Sequence, residues 1–399
     1  MQNDKKLYFI NMKILLHVIF STLINCTIFC QAEFRPDSVS FDKILGKFQE
    51  GIDRNILSVG QVNVSVSASS LYKTEDFNIS ISDSPIAFDT LHLVIENPFY
   101  TDDLDGYYDN YINHPISYSV IYDDRLVSLF QNGGFVCYGL DSFKRDLDFE
   151  KKLNTREFKY HWVVNYKLVA ISGDSVFIWN DSNWQKYSQE FPLPKQPKLF
   201  EDSEFIVFRD CYGEFGGTVY FFDKANGETY FTESTCANSV IKNEDGYLVL
   251  AHLGHFMGFA GAKTITDPRK LTKAKQKEIN KMIRNKALGH SDTSNAYKVA
   301  LDFFGIELFS TFKCEERQLF MVYLNEMTFL AEIVDNEIQI VHPLFDNPIY
   351  THDPITNSYG NYILMNLDFY RIAKDREVSV IIIDGKRLIK LDWNEKYSR

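Results

Sequence analysis

Several signatures of common enzyme chemistry are missing from these 399 residues. There is no Gly-x-Ser-x-Gly elbow, no phosphate-cradling glycine loop ending in Lys-Ser or Lys-Thr, and no dinucleotide fingerprint. Their absence lowers the case for an enzyme without excluding one. A glycosidase needs only two carboxylates converging at about 5–10 Å, which spacing along the chain does not reveal. Basic charge is also in short supply, with 42 Lys and Arg against 54 Asp and Glu. A phosphate-binding face needs the reverse, so nucleic acid is not an expected partner. Long apolar runs are scarce too. The best one, residues 14–29, is interrupted by His17, Ser21, Thr22, Asn25 and Thr27. It falls short of the about 20 apolar residues that a spanning helix requires.

That run fits a secretory signal instead. Met12-Lys13 supplies a charged start, the apolar stretch follows, and Cys30-Gln31-Ala32 offers small residues at the two cleavage-determining positions before Glu33. The expected location is therefore secreted, periplasmic or cell-envelope. A lipoprotein signal ending at Cys26 or Cys30 is the minority alternative, since Asn25 and Phe29 are not the small residues a lipobox wants before its cysteine. Envelope association would follow from such a signal or anchor. Cleavage after residue 32 removes Lys5, Lys6, Lys13 and Asp4. The remainder carries 39 basic and 53 acidic residues, a net charge of −14.

Four cysteines survive: Cys137, Cys211, Cys236 and Cys314. An exported chain permits disulfides. Cys211 and Cys236 flank a hairpin whose turn contains Asn226-Gly227, a strong reversal signal. They are the best candidate pair. Two buried free thiols are the alternative.

What the chain does have is repetition. Leu126-Val127-Ser128-Leu129 leads through Asn132-Gly133-Gly134 to Phe135-Val136-Cys137-Tyr138, then Phe143. About forty residues on, Leu168-Val169-Ala170-Ile171 leads through Ser172-Gly173-Asp174 to Val176-Phe177-Ile178-Trp179, then Trp184. Each is strand, turn, strand, loop, closed by an aromatic. Six such units are readable from residue 85 onward, beginning with Leu91 to Ile95 and ending with Arg387 to Trp393. Little helix stands between them, which excludes βαβ architecture.

This pattern resembles β-propeller repeat proteins as a class. It carries no specific motif, and the regular Trp-Asp and Gly-His pairs of WD repeats are absent. The expected fold is all-β: a six-bladed propeller, regular or irregular, with one helical insertion. A sandwich is the alternative. The expected divisions are 1–32 as signal peptide, 33–84 as a spacer or leading helix and strand, and 85–399 as propeller. Phe41, Ile44, Leu45, Phe48, Ile52 and Ile56 recur at helical spacing in the second part. Asp267-Pro268 is a good helix start, and Gly289 a stop, for a basic insertion over 267–288.

Candidate ligand-binding residues cluster in two segments. Arg209, Asp210 and Glu214 accompany Gly213, Gly216 and Gly217. Glycines let the backbone turn sharply or approach a ligand. The competing account is a strand connection with an internal ion pair. His252 and His255 stand among Gly254, Gly258 and Gly261. No third ligand completes a zinc site nearby, and on a regular strand the two rings face opposite ways. The acidic loop Asp102 to Asn110 lacks the oxygen spacing and terminal Glu of a calcium loop. Its Tyr100, Tyr107, Tyr108 and Tyr111 suit recognition equally well. No metal or cofactor is expected, and no catalytic residue is assigned. The favoured role is binding of a protein or glycan ligand. A glycan-directed hydrolase with Glu214 and a second carboxylate is the alternative.

Overall fold

The computed structural model describes residues 39–53, 71–74, 76–95, 98–99, 118–187, 193, 197–254, 258–274, 292–345, 354–367 and 379–393. The signal-peptide segment, the acidic Asp102–Asn110 loop, His255 and residues 275–291 lie outside them.

Six antiparallel sheets follow one another along the chain. Blade 1 holds Val120–Tyr122, Arg125–Leu129 and Phe135–Gly139. Blade 2 holds Tyr160–Val164, Lys167–Ser172, Ser175–Trp179 and Trp184–Lys186. Blade 3 holds Lys198–Glu201, Phe205–Cys211, Gly217–Asp223 and Thr229–Glu233, with Thr272–Ala274 on its outer edge. Blade 4 holds Ala237–Asn243, Gly246–Leu253, Phe259–Ile265 and Lys298–Phe304. Blade 5 holds Glu307–Cys314, Arg317–Leu324, Met327–Val334 and Glu337–Phe345. Blade 6 holds Ile355–Tyr359, Tyr362–Leu367, Ser379–Asp384 and Arg387–Trp393.

The core is divided among the six gaps between neighbouring sheets. Successive residues of a strand point to opposite faces, and each face here meets a different neighbour. In blade 5, Leu319 and Met321 pack toward blade 6, while Phe320, Val322 and Leu324 pack toward blade 4. In blade 6, Ile381 and Ile383 face blade 5, and Val380 and Ile382 face blade 1. Blade 3 divides Phe205 and Val207 from Ile206 and Phe208 in the same way. With both faces buried, such strands read as unbroken apolar runs instead of an apolar–polar alternation.

The six interfaces close into a ring. The seal between last and first blades contains Ile121, Leu126, Val380, Ile389 and Trp393. There the Trp393 indole meets Phe130 edge-on at 5.2 Å. Six sheets packed face to face around a closed circuit make the chain a six-bladed β-propeller.

The N-terminal part is woven into this ring. Helix α1, Phe41–Asp53, buries Ile44 and Phe48 between blades 4 and 5. Tyr72–Lys73 and Asn78–Ile81 extend blade 5, the latter pairing in parallel with Glu337–Phe345. Asp89–Ile95 pairs in parallel with Arg387–Trp393. Leu91 to Ile95 therefore completes the last blade and does not open the first. A parallel partner from the far end of the chain leaves no local turn signal.

A second correction concerns the insertion. Asp267 does cap a turn, its carboxylate accepting the Arg269 N–H at 3.1 Å with Pro268 at the first position. That turn is a single 3-10 turn, Pro268–Lys270, and the chain continues as strand Thr272–Ala274 on blade 3. Pairing with Thr229–Phe231 outweighs helix propensity there. A short helix α2, Leu147–Leu153, follows blade 1, capped by Asp146.

Candidate functional site

First strands lie innermost. Those of blades 3, 4, 5 and 6 touch one another across the axis, where hydroxyl and amide side chains join them. Ser310 Oγ and Thr356 Oγ1 are 2.7 Å apart. Asn357 donates to the Lys198 carbonyl at 2.9 Å, and Asn238 to the Leu308 carbonyl at 2.8 Å. Strands alternate in direction, so every turn between first and second strands opens on one end of the ring. Loops between second and third strands open on the other.

At the turn end, blades 6, 1, 2 and 3 surround a cavity of about 1200 Å³. Its mouth is built by four turns: Asp123-Asp124, Asn165-Tyr166, Asp202-Ser203 and Gly360-Asn361. Tyr122, Phe149, Trp179, Phe200, Tyr359 and Tyr362 supply aromatic wall. Five lining residues are carboxylates (Asp123, Asp124, Asp181, Glu201 and Asp202) and two are lysines (Lys198 and Lys224).

Deep in the cavity the two lysines converge on one acid. Lys198 Nζ lies 2.8 Å from Glu201 Oε2, and Lys224 Nζ lies 2.6 Å from Glu201 Oε1. Lys198 also donates to the Val163 carbonyl at 2.5 Å. Burial pushes the Glu201 carboxyl up, but the Lys198 and Lys224 ammonium groups outweigh it and hold the group below the usual range. Burial pulls the Lys198 ammonium down, against the attraction of Glu201. Asp202 is likewise held low, its burial overcome by Lys242, Tyr247 and backbone N–H donors. Burial and then the neighbouring Asp181 push the Tyr122 phenol up to about 12. Its hydroxyl donates to Asp181 at 3.2 Å.

The loop end holds four of the residues that sequence reasoning singled out, Arg209, Asp210, Glu214 and His252; His255 lies outside the described residues. Arg209 and Asp210 are buried in the second strand of blade 3. Asp210 accepts the Thr218 N–H at 2.7 Å and the Tyr220 hydroxyl at 2.8 Å. Glu214 is exposed in the turn Gly213–Phe215. His252 is fully buried between blades 4 and 5, edge-on to Phe309, with Nε2 3.4 Å from Glu307 Oε2. The disulfide Cys211–Cys236 ties the first segment to Cys236, whose carbonyl accepts the His252 N–H at 3.4 Å. Cys137 and Cys314 are free and buried.

Four of the glycines at this end, Gly217, Gly254, Gly258 and Gly261, face protein atoms, whereas Gly213 serves its turn with open space beside it. A Cβ on Gly217 would sit 2.7 Å from the Asp210 carbonyl oxygen and 2.8 Å from that of Ser234. A Cβ on Gly258 would be 3.0 Å from Glu307 Cγ, and one on Gly254 3.2 Å from Glu307 Oε2. Glu307 had no sequence signal. It reaches this corner from the start of blade 5, directly after the outer strand of blade 4 that pairs with Phe259–Ile265. The cavity residues were equally silent, save that Asn165-Tyr166 is a two-residue reversal with an aromatic in it.

Among the described residues no cluster of three or more His, Cys, Asp or Glu is arranged to hold a metal ion. No described helix is long and apolar enough to cross a membrane. No protein-family model and no curated protein matches the chain. Among solved structures, BamB from Moraxella catarrhalis aligns over 63% of this chain and 82% of its own, at 9% identity and a TM-score of 0.31. The AfRom2 CNH domain aligns over 68% and 82%, at 8% identity and a TM-score of 0.32.

Proposed function

We propose that this is an exported binding protein that takes its ligand at the turn end of the ring. The observation that carries the reading is the cavity of about 1200 Å³, open to solvent, with six aromatic side chains in its wall and seven charged groups in its lining. Ligand clefts combine an apolar wall with placed polar groups, and this one is rich in charge. A hydrolase is less well supported. A general acid needs a carboxyl raised above its usual range, and Glu201 and Asp202 are both held low. Ser, Thr and Asn side chains cross the axis.

A second reading places contact at the loop end, with Arg209, Asp210, Glu214, His252 and His255. Phe215, 62% exposed beside Glu214, favours it. One experiment separates the two. The secreted protein is screened on peptide and glycan arrays alongside Tyr166→Asn and Glu214→Gln. Loss of binding in the first variant alone supports the turn end. Loss in the second alone overturns it. Export is checked by mass spectrometry, which should find the N-terminus near Glu33. An intact Met1 on protein recovered from cytosol would refute it.

A further inference from the structure

We propose that the ligand of this cavity is a cationic peptide segment of a partner protein, with an arginine or lysine side chain held among Tyr122, Tyr166, Asp123, Asp124 and Asp181. The proposal rests on the reading above that the turn end is the binding end.

Charge is the first argument. The cavity has five carboxylates and two ammonium groups, and both ammonium groups are spent on Glu201. Asp202 pairs with Lys242, and the exposed rim acids Asp123 and Asp181 pair with Arg125 and Lys167, surface contacts that an incoming cation can exchange; Asp124 adds a further negative charge at the mouth. A second groove of about 990 Å³ shares Asp123, Asp124 and Tyr362 with the cavity and runs on over blade 1. It too has an acidic excess, five carboxylates against Arg125, Lys144 and Arg145. The equivalent turns of blades 4 and 5, Glu244-Asp245 and Glu315-Glu316, are exposed on the same end. Such a field draws cations in and repels anionic ligands. Two joined grooves suit an extended segment better than a compact small molecule.

Aromatic geometry is the second argument. Tyr122 stacks on Phe149 with centroids 6.4 Å apart, and Phe149 meets Trp179 edge-on at 6.3 Å. The Arg125 guanidinium already lies 4.6 Å from the Phe149 centroid. A cation over a ring beside carboxylates is thus an arrangement this site already contains.

Tyr166 is the third and is independent of both. It is 92% exposed at the cavity mouth with φ at +58°. A bulky residue in the left-handed region is strained, and Asn or Gly would serve the turn better. The ring buries nothing that would offset the strain. Strain kept at an exposed aromatic beside a cavity points to contact with a ligand.

The test uses the secreted protein and three fluorescent probes: a seven-residue peptide with two arginines, the same peptide with citrulline in their place, and a neutral oligosaccharide. Citrulline keeps shape and removes charge. The arginine peptide should bind, and the citrulline peptide at least about tenfold more weakly, as expected for a cation partly desolvated over a ring. Raising salt from 50 to 300 mM should weaken binding severalfold, since exposed charges are screened. Asp123→Asn with Asp124→Asn should weaken the arginine peptide by about fivefold or more at unchanged melting temperature. Asn suits the positive φ of both positions, so folding is preserved. Equal affinity for the citrulline peptide, or no binding of the arginine peptide, overturns the proposal. Binding of the oligosaccharide alone, lost in Tyr166→Asn but kept in the Asp double variant, overturns it while leaving the binding end in place. Arginine-peptide binding that survives both sets of variants defeats both.

Discussion

The two ends of the ring are built from the same strands and have opposite character. At the turn end the backbone reverses in two residues, with positive φ at Asp123, Asp124, Asn165 and Tyr166. Reversals that tight place side chains outward and leave the space between blades open. At the loop end glycines bring strands together, a disulfide clamps them, and Asp210 spends its acceptors on Thr218 and Tyr220. The glycine-rich segment is the more conspicuous of the two in sequence, yet at Gly217 the room it makes is filled by the protein's own carbonyl oxygens. Glycine marks close approach; what approaches is decided by the fold.

That contrast is open to attack, beginning where the effect should be largest. Replacing Cys211 and Cys236 together by Ser should cost about 3 kcal/mol, the loop-closure entropy of a disulfide of this span. Denaturant titration reads the loss. A cost near zero would mean that the loop end is not clamped as described.

A control lies in the ring between the ends. His161, on the first strand of blade 2, donates its Nε2–H to the Val127 carbonyl of blade 1 at 3.1 Å, and burial lowers its pKa to about 4. The unfolded chain, with an ordinary pKa near 6.5, binds the extra proton between those values. Stability from this group is complete above about pH 6.5 and is lost as pH falls toward 4. The full loss is of order 3 kcal/mol. Melting temperatures across this range should drop more steeply for the native protein than for His161→Gln. Identical slopes would refute the assignment.

Gly217→Ala tests whether glycine serves packing at the loop end. Its Cβ would collide with two carbonyl oxygens, so a loss of about 2 kcal/mol is expected, within the range for overpacking. A neutral result at reduced ligand binding would instead make Gly217 part of a site. The smallest effect is expected at the turn end and has the opposite sign. Tyr166→Asn should stabilise the protein by about 0.5–1 kcal/mol through relief of left-handed strain, while binding falls. Destabilisation would show that the ring packs on something and is not kept for a ligand.

How much of this was readable beforehand follows from the range of each interaction. The Leu126–Tyr138 and Leu168–Trp179 units are the second and third strands of blades 1 and 2, joined by Asn132-Gly133 and Gly173 turns whose preferences are local. Cys211 and Cys236 were found from a hairpin between them, also local. Asp89–Ile95 was placed in the wrong blade because its partner, Arg387–Trp393, sits at the far end of the chain. The Asp267-Pro268 cap formed as read, but at Thr272–Ala274 a strand pairing that propensity does not report takes the place of the helix, the rest of the expected insertion lying outside the described residues.

The chain by itself determined the blades. Short apolar runs, turn residues and aromatic density are properties of neighbours in sequence, and short antiparallel meanders follow from them. Tertiary structure alone decided the ring and its sites. Lys198, Lys224 and Glu201 meet because two strands and a turn of blade 3 fold back together, and they face Tyr122, Tyr166 and Tyr359 only because blades 1, 2 and 6 curve round the same axis. The packing of both sheet faces sets that curvature. A cavity assembled from four blades has no sequence motif, since its parts, from Ile121 to Tyr362, lie far apart in the chain and are joined only by closure of the circle.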